Sequence, residues 1–232
     1  MNSLTLLVVA TVGVGVVSAR PAADSDGRGR PDWATERVPD TIWILVERAT
    51  DTRDEEGAKS LLREAEAHAR ASVEDDPGDI GRRYAFAVVL GLRANTEGGQ
   101  TKVRAASALH DQLEEILGAD PDHVGARHML GRLHAGVRRM NGVTRWLATN
   151  LLGGGALKKA TWELAEEHLA FAEQHAPGVA DHHLQLARLY SETGRPQLAT
   201  RELEHVLSIP ARTVLELAVL EEAQALLDEL RS

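Results

Sequence analysis

No cysteine occurs in the 232 residues, so disulfide bonds, thiolate metal sites and cysteine nucleophiles are excluded. Aromatic residues make up only 3%, a poor supply for strands, which favour aromatic and β-branched side chains. Between His123 and Trp162 there is neither aspartate nor glutamate, although the whole chain carries a net charge of −9. That stretch holds Arg127, Arg132, Arg138, Arg139, Arg145, Lys158 and Lys159, leaving the remainder strongly acidic. A basic band on an acidic body attracts anionic partners, such as an acidic peptide, a phospholipid surface or nucleic acid. Net acidity and the lack of interleaved aromatics place nucleic acid last among them. The competing reading is a solvated face whose charges pair with the acidic final helices.

What the chain does contain is Ala, Leu and Glu in abundance, with 43% hydrophobic and 26% charged residues. This is the composition of a soluble all-α protein. Leu130-Gly131-Arg132-Leu133-His134 and Leu186-Ala187-Arg188-Leu189-Tyr190 each begin nine residues after a proline, Pro121 and Pro177. A weaker copy, Phe86 to Leu90, follows Pro77 at the same offset. A pattern repeated at one offset indicates a single supersecondary unit used several times.

Helical periodicity places a first hairpin at Thr41 to Ala49 and Glu55 to Val73. A second hairpin runs from Ile80 to Ala94 and, after a polar turn at Asn95 to Gln100, from Lys102 to Leu117. The third unit begins at Asp120-Pro121-Asp122 and runs to about Met140. Its second helix begins near Lys159 and ends at Ala176-Pro177, with an insertion at 141–158 between them. A fourth unit turns at Gly194 and stops at Pro210. A last helix, Thr213 to Leu230, has the apolar face of a cap. Within the insertion, Trp146 to Leu152 forms an apolar segment expected to cover the core between units, with a membrane surface as the alternative. The glycines at 153–155 lack the spacing of a phosphate-binding loop and read as a hinge.

The spacing resembles the tetratricopeptide repeat, which centres its first helix on Leu-Gly-x-x-Tyr and its second on Ala-x-x-x-large around a glycine turn. Leu186, Ala187, Tyr190, Gly194, Ala199 and Leu203 fit it best. The expected fold is therefore an all-α, tetratricopeptide-like right-handed helical-hairpin solenoid with a C-terminal capping helix over residues 41–232. From His123 to Arg231 the chain is also similar to the regulator of microtubule dynamics family. The similarity is carried by Leu130-Gly131-Arg132, Trp146 to Leu152, a glycine step, Ala156 to Ala160, Ala165-Glu166-Glu167 and the Pro210-Ala211-Arg212-Thr213 step. That resemblance implies a tetratricopeptide-like fold and, as in eukaryotic members, association with microtubules, the spindle or contacts between organelles. An Arg-rich, Lys-poor composition points to a bacterial member.

Leu4 to Ala19 carries no charge and ends in Val17-Ser18-Ala19, a pattern suited to signal peptidase. Export, periplasmic or secreted, is the expected location, with an uncleaved membrane anchor as the alternative and a cytoplasmic protein if the segment is no signal. Residues 20–40 read as a flexible spacer.

In a tetratricopeptide stack the first helices line the concave face, and the position two beyond the leading Leu points into it. Arg132 and Arg188 occupy that position, and His128 lies one turn before Arg132. With Arg127 and Arg139 these form the expected partner-binding set for a carboxylate or phosphate. The competing reading pairs each arginine with a neighbouring glutamate. His123, His128 and His134 share a helix at spacings unsuited to metal, and His182 and His183 diverge, so no metal site is expected. No cofactor motif and no Ser/His/Asp arrangement is present. The expected function is a non-enzymatic scaffold that binds an acidic or extended protein or peptide segment on the concave face, with an envelope protein on anionic lipid and a histidine-dependent metal protein or enzyme as alternatives.

Overall fold

A computed structural model describes residues 37–232, and the expected export segment and most of the spacer lie outside the described residues. Among the described residues the chain forms ten α-helices and one 3₁₀ turn, without strands. In order they are α1 (Asp40–Asp51), α2 (Glu55–Asp75), α3 (Ile80–Thr96), α4 (Gly99–Ala119), α5 (Val124–Arg139), α6 (Gly142–Asn150), the 3₁₀ turn Gly155–Lys159, α7 (Trp162–His175), α8 (Ala180–Glu192), α9 (Pro196–Ser208) and α10 (Val214–Arg231). The helices pack as consecutive pairs, α1 with α2, α3 with α4, α5 with α7 and α8 with α9, and α10 closes the stack against α9 and α8.

The repeat is written most plainly in the turns between hairpins. Asp76, Asp120 and Ala176 end α2, α4 and α7 with nearly the same backbone, φ −141°, −135° and −142° and ψ 86°, 89° and 64°. Each is followed by one of the three prolines, which cannot continue a helix. Three residues after each C-cap, the N–H of Asp79, His123 or Val179 returns to the cap carbonyl at 3.2 Å. At the first two of these turns a side chain then caps the following helix. Asp79 Oδ1 accepts from the Arg82 N–H at 2.9 Å, and His123 Nδ1 from that of Ala126 at 3.1 Å. At α10 a complete capping box joins Thr213 and Glu216.

Small residues set the helix spacing, as the repeated phrase requires. A Cβ on Gly131 would stand 3.0 Å from the Ala165 carbonyl oxygen and 2.7 Å from Leu169 Cγ, so α5 and α7 cross where only glycine fits. Ala187 and Ala199, both fully buried, are the small residues in the cores that α8 and α9 share. Gly194 turns between them at φ 74°, a conformation that favours glycine.

Several boundaries differ from expectation for local reasons. The polar turn after α3 shrinks to two residues, because the Lys102 N–H already bonds the Gly98 carbonyl and α4 is under way at Gly99. The second helix of the third hairpin starts at Trp162, where the Thr161 hydroxyl caps it, and Gly155–Lys159 winds as the 3₁₀ turn instead. Val38, at the end of the expected spacer, is buried in the first core cluster. The insertion itself contains a helix, α6.

Candidate functional site

Two regions carry the unusual chemistry. The first is a buried polar seam between α5 and α8, the first helices of adjacent hairpins. Asp181, in the first turn of α8, accepts from Arg132 Nη1 at 2.8 Å and from His128 Nε2 at 3.0 Å through one oxygen. Its other oxygen accepts from Gln185 Nε2 at 2.8 Å. All four side chains are buried. Burial opposes ionisation of Asp181, yet Arg132 and the hydrogen bonds from His128 and Gln185 outweigh it and hold the carboxyl well below its usual range. Burial likewise pushes the His128 imidazole down against the pull of Asp181. His128 therefore serves as a neutral Nε2–H donor, and its Nδ1 has no hydrogen-bond partner among the described residues.

The sequence-predicted residues meet here, in roles set by this burial. Arg132 is 5% exposed and His128 3%, and the charge of Arg132 is directed at Asp181 rather than at an open groove. Arg188 stands near them. Its guanidinium reaches Gln185 at 3.4 Å and forms an ion pair with Glu222 of α10. Burial, then the like charge of Arg132, lowers the Arg188 pKa to about 10. Arg139 Nε donates to Glu192 at 2.7 Å at the outer end of the seam. Arg127 lies apart, bonded to the Pro121 carbonyl and His168 and placed over the Phe171 ring at 4.8 Å. A neighbouring histidine group, His110, His134 and His168, lines the inside of α4, α5 and α7. Burial first, then the neighbouring His168 and His110 rings, brings His134 down to about 4.

The second region is the outer face of α6. Among the described residues five large apolar side chains are exposed, and four of them are Val143, Trp146, Leu147 and Leu151. They follow i, i+3, i+4, i+8 and so share one face of α6 and its C-cap. Trp146 is 56% exposed and Leu151 61%. The segment thus turns this face away from the core it was expected to cover. Leu157 of the 3₁₀ turn is buried in the first core cluster, and α6 rests on that turn. Gly154 permits the approach, since a Cβ there would meet the Ala148 carbonyl oxygen at 2.7 Å. Beside the apolar face, Arg138, Arg145 and Lys158, with Trp146, Thr149 and Asn150, line an open cleft of about 380 Å³. Arg145 is held at its rim by the carbonyls of Arg138 and Met140, at 3.3 and 3.0 Å, where it also caps α5.

Sequence reasoning missed Asp181 and Gln185, which organise the seam, and Val143, which completes the α6 face. The available signals were an acid one turn before Gln185 and the continuation of the Trp146 stripe by one turn.

The fold defines the class, an all-α stack of helical hairpins closed by a terminal helix. A family model described as regulator of microtubule dynamics protein 1-3 matches residues 43–231, and the chain belongs to that family. The match extends the resemblance seen from His123 onward back through the first two hairpins. No individual curated protein matches the chain. Among the described residues no helix is long and apolar enough to cross a membrane.

Proposed function

We propose that this protein is a non-enzymatic binding module whose docking surface is the outer face of α6, and whose partner is an acidic protein segment bearing apolar side chains. The observation that carries this reading is that, among the described residues, four of the five exposed large apolar side chains gather on the nine-residue helix α6 and its C-cap Leu151. A contiguous exposed apolar patch marks an interaction site, and tryptophan is prominent among the residues that dominate binding energy. The cations of the adjoining cleft select the partner's sign, because Arg138, Arg145 and Lys158 stand in a stretch without a single acid. The buried seam serves as the frame behind this surface rather than as the contact itself.

The family description names microtubule dynamics, so polymerised tubulin is the first partner to test. Co-sedimentation is expected, weakening at least about ten-fold in Trp146→Ala and in the Arg145→Glu, Lys158→Glu double variant, in the range set by the loss of one interface anchor. Undiminished co-sedimentation of both variants would place the contact elsewhere. A second reading has its own support, since a short helix with tryptophan on one face and cations at its flank suits an anionic lipid surface. Salt-sensitive binding to phosphatidylserine vesicles without binding to tubulin would favour it.

A further inference from the structure

On the opposite side of α8 from Arg132, His183 is buried between α8 and α9. Its Nε2 lies 2.9 Å from the Pro177 carbonyl oxygen, which accepts only from a protonated nitrogen. In the neutral ring Nδ1 then carries a lone pair, and it faces Glu202 Oε2 at 2.8 Å. Two lone pairs at that distance repel, so a cation belongs between them, either a proton or a metal ion. His205 lies one turn beyond Glu202 on α9, and its ring centroid is 5.3 Å from that of His183. One ligand atom from each of His183, Glu202 and His205 lies within 4.8 Å of the others. Glu173 of α7 approaches the same Nδ1 at 4.0 Å.

We propose that His183, Glu202 and His205 bind a zinc-like divalent transition metal, with Glu173 within reach as a fourth ligand. Two imidazoles and a carboxylate are a donor set for such ions, and Glu-x-x-His places both α9 ligands on one helical face. Tetrahedral ligands about 2.1 Å from zinc stand about 3.4 Å apart, so the set closes by rotation of the exposed His205 and by a withdrawal of Glu202 from His183 of about 0.6 Å. The Pro177 carbonyl orients His183 in the tautomer a metal requires. Burial of His183 and Glu202 fixes two ligands in advance, while His205 leaves a route in from solvent. Arg201 Nη2, 3.4 Å from the other Glu202 oxygen, competes for the carboxylate and moderates affinity. A bound ion would join α7, α8 and α9. Histidine spacing along single helices conceals this set because it assembles across two of them.

The test uses the full chain, stripped with chelator and titrated at neutral pH with Zn²⁺ and with Co²⁺ as a spectroscopic probe. Expected are one equivalent bound, visible absorption of tetrahedral cobalt, and a rise in unfolding temperature with zinc. His205→Ala, an exposed change that leaves the core intact, should weaken binding at least about ten-fold, as loss of a metal ligand or its support does. Arg201→Ala should tighten it, and the exposed His68→Ala should change nothing. Absence of saturable binding up to about 1 mM metal, or full binding by His205→Ala, would overturn the proposal and leave a proton between His183 and Glu202.

Discussion

The α5–α8 seam and the outer face of α6 depart from the usual partition of polarity in opposite directions. In the seam, Arg132, Asp181, His128 and Gln185 are buried, whereas on α6 Val143, Trp146 and Leu151 are exposed. Each buried polar group can only be tolerated through its partners, so the seam must be judged as one unit. The α6 face has no such internal constraint. Val143, Trp146 and Leu151 are more than half exposed, and that exposure gives the fold nothing. A region whose groups satisfy one another belongs to the framework, and a region whose groups await a complement belongs to recognition.

The strongest way to break that contrast is to remove the centre of the seam. Asp181→Ala leaves Arg132 and its charge buried without a counterion, and a loss of roughly 3–5 kcal/mol is expected in urea or thermal unfolding. Arg132→Met combined with Asp181→Leu should recover a large part of that loss, because an apolar pair of similar volume avoids burying a lone charge. Equal damage from the single and double variants would remove Asp181 from its central role.

A smaller effect is expected from acid at the neighbouring histidine group. His134 is held at about 4 against an ordinary 6.5, chiefly by burial and then by His168 and His110. Above pH 6.5 it is neutral in both folded and unfolded chains. Between 6.5 and 4 the unfolded chain takes up a proton that the folded chain refuses, so stability falls as pH falls through that window. His134→Gln should flatten the decline in urea midpoint between pH 6.5 and 4. An unchanged slope would assign the acid sensitivity to other groups.

The smallest effect on the fold should come from α6. Trp146→Ser is expected to alter unfolding free energy by no more than about 0.5 kcal/mol, the ordinary range for a surface change. A loss of 2 kcal/mol or more, roughly the cost of truncating a core side chain, would mean that this face packs against the body of the protein.

Much of the fold was legible because its punctuation is local. Pro77, Pro121 and Pro177 follow C-caps of one conformation, and Gly131 marks the tight crossing of α5 and α7. The site was less legible because its partners are distant. Asp181 is 49 residues from Arg132, and no helical period connects them. The stripe formed by Trp146, Leu147 and Leu151 has the same spacing whether it faces a core or a partner. What decided its direction was the 3₁₀ turn, whose Leu157 fills the place the stripe was expected to fill.

The apolar interior is not continuous along the stack. One large cluster runs from α1 through α5, while two smaller ones lie among α5, α7, α8 and α9 and among α8, α9 and α10. In a linear array each unit is supported by its immediate neighbours, so loosening can stop at a boundary between clusters. Backbone amides of α9 and α10 should accordingly exchange with deuterium well before those of α3, with the chain opening from its C-terminal end while the first two hairpins remain closed.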